Sequence, residues 1–263
     1  MTSASIETCL VEKNGLILEV TFNRPERGNS LTPVEHEFLD LVWTEFEGDE
    51  SLRVAILGAA GDRIFCSGND FRYASEHGSF AIPPTGLAGL TSRFDREKPI
   101  IAAVNGAAAG GGFEIAMACD LVVAAGHATF SLPEVKAGTY AGAGGLIRLP
   151  RQVGDKIAME MILTGRKIPA ERACALGLVN RVVDGASLMR EARQLAAEIV
   201  GNSPLACAVS KRIVNETRDI PALRDAQRVS DRLGAQLIGS REFRQGVSAF
   251  LEKRRPDWTG EEK

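Results

Sequence analysis

Two glycine clusters constrain this chain more than anything else in it. Gly106, Gly110, Gly111 and Gly112 form one, and Gly138, Gly142, Gly144 and Gly145 the other. The first follows the apolar run 100–104 and leads directly into the apolar stretch 113–119. An apolar run of strand length, a glycine turn and an apolar segment of helix length read as a buried strand, a tight turn and a helix. The second cluster precedes helical segments near Leu146 and over 155–163.

The rest of the chain repeats this alternation and then abandons it. Residues 16–22 read as a strand, ended by Asn23-Arg24-Pro25. Thr32-Pro33-Val34-Glu35 has the form of a capping box with proline at the first helical position, opening a helix to about Phe46. A short buried strand follows at 54–57. Residues 63–71 read as a strand passing into the loop Ser67-Gly68-Asn69-Asp70, and the Gly- and Pro-rich stretch 78–90 as a mobile loop. Strands are expected at 121–125, 128–132 and 178–183. Beyond that the periodicity is helical only, over about 187–200, 204–216, 221–238 and 241–253. Strands alternating with helices, followed by helices alone, predict an α/β core with a helical carboxy-terminal extension.

Composition narrows the function classes. With 263 residues, 44% hydrophobic and 25% charged, the chain can bury a sizeable core. A net charge of −3 lacks the basic excess that nucleic-acid binding asks for. Cys9, Cys66, Cys119, Cys174 and Cys207 are dispersed with no C-x-x-C pair, the pattern of reduced thiols in a cytoplasmic protein. Residues 1–12 carry acids and no long apolar run, so neither a targeting peptide nor a membrane span is expected. His36, His77 and His127 lie far apart, which gives little support to a histidine metal site or a Ser-His-Asp triad.

Chemistry concentrates in three places. Around Gly106 to Glu114, glycines leave backbone N–H groups uncovered, and a helix start adds unpaired donors and a positive dipole end. Such a turn can hold a developing anion; a tight strand-to-helix packing turn has the same spelling. No Gly-Lys-Ser/Thr follows for a phosphate loop, and the glycine spacing is wrong for a dinucleotide fingerprint. Ser67-Gly68-Asn69-Asp70 can present another exposed N–H, or be an ordinary turn. Glu134, beside an apolar, glycine-rich segment, can act as an acid or base with a raised pKa, or be a solvated carboxylate.

Together these motifs narrow the alternatives. Pro99-Ile100-Ile101-Ala102-Ala103-Val104-Asn105-Gly106, then Gly110-Gly111-Gly112-Phe113-Glu114, Ala118-Cys119-Asp120-Leu121, Pro133-Glu134 and Ala141-Gly142-Ala143-Gly144-Gly145-Leu146-Ile147-Arg148-Leu149 closely resemble the crotonase, or enoyl-CoA hydratase/isomerase, superfamily. The likeness runs from Asn23-Arg24-Pro25 to the segment ending at Arg254. It implies a crotonase-like spiral of repeated ββα units, with a core and CoA-thioester site over 1–200 and a helical trimerisation region over 201–263. It also implies a homotrimer, or a hexamer of paired trimers. Catalytic roles fall on Glu114 and Glu134, and oxyanion-hole N–H groups on Asn69 and Gly111. Contacts to the acyl-CoA fall on Ser30, Ser67, Asn69, Asp70, Phe71, Arg72 and Gly111, and on Lys253 reaching a neighbouring subunit. No metal or redox cofactor is implied, coenzyme A being part of the substrate.

The expected reaction is hydration of a trans-2-enoyl-CoA. A Δ3,Δ2-enoyl-CoA isomerase using Glu134 alone is the main alternative, and a noncatalytic CoA-binding scaffold the alternative of another class. Departures from the family pattern at Gly28, Leu132, Tyr140-Ala141 and Leu146-Ile147 are expected on or near the acyl pocket.

Overall fold

A computed structural model describes residues 5–258; residues 1–4 and 259–263, where the readings of the amino-terminal stretch and of the carboxy-terminal region begin and end, lie outside it. The chain forms β1 (Cys9–Asn14), β2 (Ile17–Phe22), α1 (Pro33–Gly48), β3 (Val54–Ala59), β4 (Ile64–Cys66) and α2 (Phe71–His77). Then come β5 (Ile100–Val104), β6 (Ala107–Ala109), α3 (Gly111–Ala118), β7 (Leu121–Ala125) and β8 (Thr129–Ser131). The remainder is α4 (Gly145–Gln152), α5 (Asp155–Thr164), β9 (Ile168–Pro169), α6 (Ala170–Ala175), β10 (Arg181–Val183), α7 (Leu188–Val200), α8 (Pro204–Thr217), α9 (Leu223–Ile238) and α10 (Arg241–Leu251).

Two sheets share these strands. A large sheet runs β1-β2-β3-β5-β7-β10 and a small one β4-β6-β8-β9. From β3 to β8 the chain alternates, laying one strand in the large sheet and the next in the small one, whereas β1 and β2 both lie in the large sheet and β8 and β9 both in the small. Within the small sheet β4, β6 and β8 are parallel, with Cys66 opposite Ala108 and Ala109 opposite Ser131. The loops leaving their carboxyl ends, after Cys66, Ala109 and Ser131, thus stack on one edge. Ligands in parallel sheets gather at such carboxyl ends.

The large sheet is buried on both faces because alternate residues point to two cores. Val54, Ile56, Ile101, Ala103 and Val123 pack with Leu188, Ala192 and Ala196 of α7, whereas Ala55, Leu57, Ile100, Ala102 and Val104 join the main core with Leu39, Trp43 and Phe113. This is why residues 100–104 read as an uninterrupted apolar run. At the start of α1, the Glu35 carboxylate accepts from the Thr32 N–H at 2.7 Å, the back-bond of the expected capping box.

Several elements differ from expectation. β1 pairs antiparallel with β2 across a turn at Gly15, which has φ +61°; its outer residues are exposed, so it shows little alternation. β6 occupies part of the expected glycine turn. α2 follows Asp70, whose carboxylate caps the Arg72 and Tyr73 N–H groups at 3.1 and 3.2 Å. The stretch 87–90, read as mobile, is buried. The four carboxy-terminal helices match their periodicity, with α9 packing on α8 and α10. No helix among the described residues is long and apolar enough to cross a membrane.

A Cβ placed on Gly112 would lie 1.9 Å from the Cys66 carbonyl oxygen, a backbone atom that cannot move without separating β4 from α3. Gly112→Ala is expected to lose about 3 kcal/mol or more of stability, the upper range for overpacking. Gly15→Ala, strained in φ but with nothing within 4 Å, should lose only about 1 kcal/mol. Urea denaturation of both variants measures the difference.

Candidate active site

A cleft of about 420 Å³ opens at the stacked carboxyl ends of the small sheet, and Asn69, Gly110, Gly111, Glu114 and Glu134 all line it. Asn69 comes from the loop after β4, Gly110 and Gly111 from the turn after β6, and Glu134 from the 3₁₀ turn after β8. Glu114 follows one helical turn into α3. Phe71, Phe80, Ile82, Leu87 and Tyr140 supply apolar wall.

The first two loops touch through their backbones. A Cβ on Gly68 would stand 2.8 Å from Gly111 N, and one on Gly111 would stand 2.9 Å from Gly68 Cα and 3.7 Å from Asn69 N. Only glycine permits this approach, and Gly68 also needs its φ of +87°. Hydrogen bonds from Leu31 N–H to Gly68 O and from Asp70 N–H to Leu31 O, both 2.9 Å, hold the first loop. The intervening Asn69 N–H finds no acceptor among the described residues. Gly111, at the start of α3, likewise finds no acceptor for its N–H among the described residues. Two unspent donors therefore lie on adjoining backbone at the wall of one cleft.

The carboxyls opposite are poorly solvated. Glu114 is buried, and its Oε1 accepts from the Gly145 N–H at 2.7 Å. Burial, reinforced by the charge of Glu134, pushes its pKa up to about 7 against the opposing Gly145 hydrogen bond. Glu134 is half-buried and also raised by burial, and its Oε2 has no hydrogen-bond partner among the described residues. A Cβ on Gly110 would fall 2.8 Å from Glu134 Oε1, so this glycine makes room for the acid. Burial thus raises both carboxyls, Glu114 to about 7, the direction that acid–base chemistry near neutral pH asks for.

Other expected residues fall at different distances from the cleft. Ser67 and Phe71 line it. Ser30 is buried and donates its Oγ–H to Asp70 Oδ2 at 3.1 Å, while Asp70 also meets Arg24 at 3.4 Å; these two brace the loop. Arg72 is exposed and contributes its N–H to the Asp70 cap. Lys253 lies exposed beyond the end of α10, outside the cleft lining of its own chain. Of the departures expected near the acyl group, Tyr140 lines the cleft, Ile147 lines a neighbouring cavity, Leu132 is core, and Gly28 backs Ser67. Among the described residues no three His, Cys, Asp or Glu side chains cluster as metal ligands would.

His36 is the residue that pattern reading missed. Fully buried on α1, it accepts the Ala88 N–H on Nδ1 at 3.0 Å, which places its proton on Nε2, 2.8 Å from Asn69 Oδ1. Trp43 Nε1–H donates to the Ala88 carbonyl at 2.8 Å. One helix thus clamps both sides of the Ala88 peptide, held at φ +54°, beside Leu87 in the cleft wall, and fixes Asn69 as well. A lone histidine in an apolar helix gives no sequence signal for this.

The cleft thus holds two backbone N–H groups and two desolvated carboxyls, and the chain belongs to the enoyl-CoA hydratase/isomerase family, whose sequence profile it matches over residues 12–261. It is a crotonase-fold enzyme. It is 41% identical over 261 residues to the carnitinyl-CoA dehydratase of Escherichia coli (strain K12), covering 97% of this chain and 99% of that one. Its structure resembles the crystal structure of an enoyl-CoA hydratase from Mycobacterium tuberculosis H37Rv, with TM-score 0.92, 39% identity, and 97% and 100% of the two chains covered. An enoyl-CoA hydratase of Mycobacterium marinum gives TM-score 0.91 at 40% identity, over 97% of this chain and 100% of that one.

Because the Glu114 pKa is raised from 4.5 to about 7, the folded state holds this proton after the unfolded state has lost it. Stability therefore falls as pH rises from about 4.5 to 7, by roughly 3 kcal/mol, and stays lower above that. Glu114→Gln, which keeps the Gly145 hydrogen bond, should be more stable than the parent at pH 8 and should flatten this profile in urea titrations. Burial holds the His36 pKa below its usual 6.5, so its neutral form adds stability that fades as pH falls below about 6.5. His36→Ala should remove that acid dependence and lose about 1–3 kcal/mol for each polar group left alone.

Proposed function

We propose that this enzyme adds water reversibly across the C2–C3 double bond of a trans-2-enoyl-CoA. The supporting observation is the adjoining pair of unspent N–H groups, Asn69 and Gly111, in one cleft with two carboxyls of raised pKa. In this reading the thioester oxygen accepts from both amides. Addition at C3 moves charge onto that oxygen, and each preorganised donor lowers the barrier by about 3–4 kcal/mol. Glu114, ionised, takes a proton from the attacking water. Glu134, protonated, gives its proton to C2 as the enolate collapses. The balance is one water in and one C–C double bond lost, and no metal or redox group takes part. The carnitinyl-CoA dehydratase relatives are named for the reverse step on a CoA thioester.

A double-bond isomerisation through Glu134 alone is the second reading. It is favoured by one observation: Glu134 Oε2 is unpartnered, whereas Glu114 is already engaged by Gly145. For assembly we propose the trimer, or pair of trimers, that the family resemblance implies. The exposed apolar residues Leu223, Ile238, Phe250 and Leu251 of the carboxy-terminal helices would be covered there, and Lys253 would approach a neighbour's coenzyme A.

Crotonyl-CoA should lose its conjugated absorbance on incubation with the enzyme. Glu114→Gln and Glu134→Gln should each reduce that rate by at least about 100-fold, the scale of a lost general acid or base. A 3-enoyl-CoA that gains conjugated absorbance with Glu114→Gln but not with Glu134→Gln would replace hydration by isomerisation.

A further inference from the structure

A second cavity, of about 800 Å³, lies beside the cleft and shares Thr91, Ser92, Gly142 and Ala143 with it as a common wall. Its charge is one-sided. Arg93 pairs with Asp40, and Arg151 with Asp219. That leaves Arg96, Arg148, Lys211 and Arg218 lining the cavity with one carboxylate in its wall, Asp120, while Glu47 acts on Arg96 and Lys211 from outside the lining. Asp120 is divided between Lys211, at 2.9 Å, and Arg96, at 3.7 Å. The Arg96 side chain is only 9% exposed, and its Nη1 is buried without a hydrogen-bond acceptor. Arg148 donates to the Thr91 carbonyl at 2.7 Å and lies over the Phe94 ring, 5.5 Å from its centre, with no carboxylate of the described residues within ion-pair distance. Its pKa is lowered by burial first and then by the charges of Arg96 and Arg218, while Glu114 across the wall acts in the opposite sense.

Partly buried cations that repel one another are costly to hold unless an anion offsets them. Guanidinium groups match the planar, bidentate geometry of a carboxylate. We propose that this cavity receives the carboxylate at the far end of an acyl chain whose thioester sits at Asn69 and Gly111, so that the enzyme prefers acyl-CoA substrates ending in an anion. This rests on the acyl-CoA reading of the cleft and names its substrate class. The shared wall at Gly142 and Ala143, which has no bulky side chain, is where the chain passes from cleft to cavity. The same charges disfavour an acyl group ending in a cation, such as the quaternary ammonium of a carnitinyl group.

Saturated thioesters test this without turnover. Isothermal titration calorimetry at low salt compares glutaryl-, adipyl- and suberyl-CoA with pentanoyl-, hexanoyl- and octanoyl-CoA on the whole enzyme. At the length that reaches the cavity, the carboxylated ligand should bind about tenfold tighter than its neutral partner, as a new charge-assisted contact provides. Arg218→Gln, at an exposed position, and Arg96→Gln should each abolish that preference and leave neutral binding unchanged. Equal or weaker binding of the carboxylated ligand at every length would overturn the proposal. So would binding of free adipate or inorganic phosphate, lost in the arginine variants, without any chain preference, which would make the cavity a site for a diffusible anion. If no acyl-CoA binds at all, the cleft reading itself fails, a result distinct from binding without preference.

Discussion

The contact between the Gly68 and Gly111 backbones is the constraint on which the rest of the site depends. It brings the loop after β4 against the turn that opens α3 more closely than any side chain would allow. Gly112, pressed on the Cys66 carbonyl, fixes the same junction one residue further on. The consequence is chemical as well as steric. Where the two backbones meet at this helix start, neither the Asn69 nor the Gly111 N–H finds an acceptor among the described residues, and both line the cleft. On the proposed reading, a donor pair fixed by such packing needs no rearrangement when charge develops on a bound thioester.

Burial performs the complementary task on the acids. Glu114 and Glu134 sit where water cannot fully solvate a carboxylate, and their affinity for protons rises accordingly. This opposes folding stability near neutral pH, so the site is maintained by the surrounding packing. α1 carries much of that duty. Through His36 and Trp43 it grips the Ala88 peptide from both sides and steadies Asn69, linking a helix of the first turn to a wall of the cleft.

Much of this was legible in the sequence, but unevenly. The carboxyls twenty residues apart, the glycine runs around them and the capping box at Thr32 are local patterns, and local patterns survive in one dimension. The carboxy-terminal helices, amphipathic and uninterrupted, were equally plain. What escaped depends on contacts between distant segments. β6 is three alanines, Ala107–Ala109, with no strand preference of their own; pairing with β4 and β8 makes them a strand. β9 and α6 are too short to show a period. Residues 87–90 look mobile by composition and are buried because α1 holds them. His36 has no motif at all, since its meaning lies in Asn69 and Ala88, 33 and 52 residues away.

The alternation of strands between two sheets carries a consequence for how such an enzyme can diversify. The donors and acids hang from three short parallel strands whose register is shared, so a slip of one residue in any of them would move its own group out of line with the others. The outer walls of the cleft, around Phe80 and Ile82 and around Tyr140 to Ala143, belong to connecting segments outside every strand. They can be rewritten by substitution or insertion without disturbing that register. The chemistry is thus inherited with the sheet, whereas the choice of molecule is carried by loops that drift independently of it.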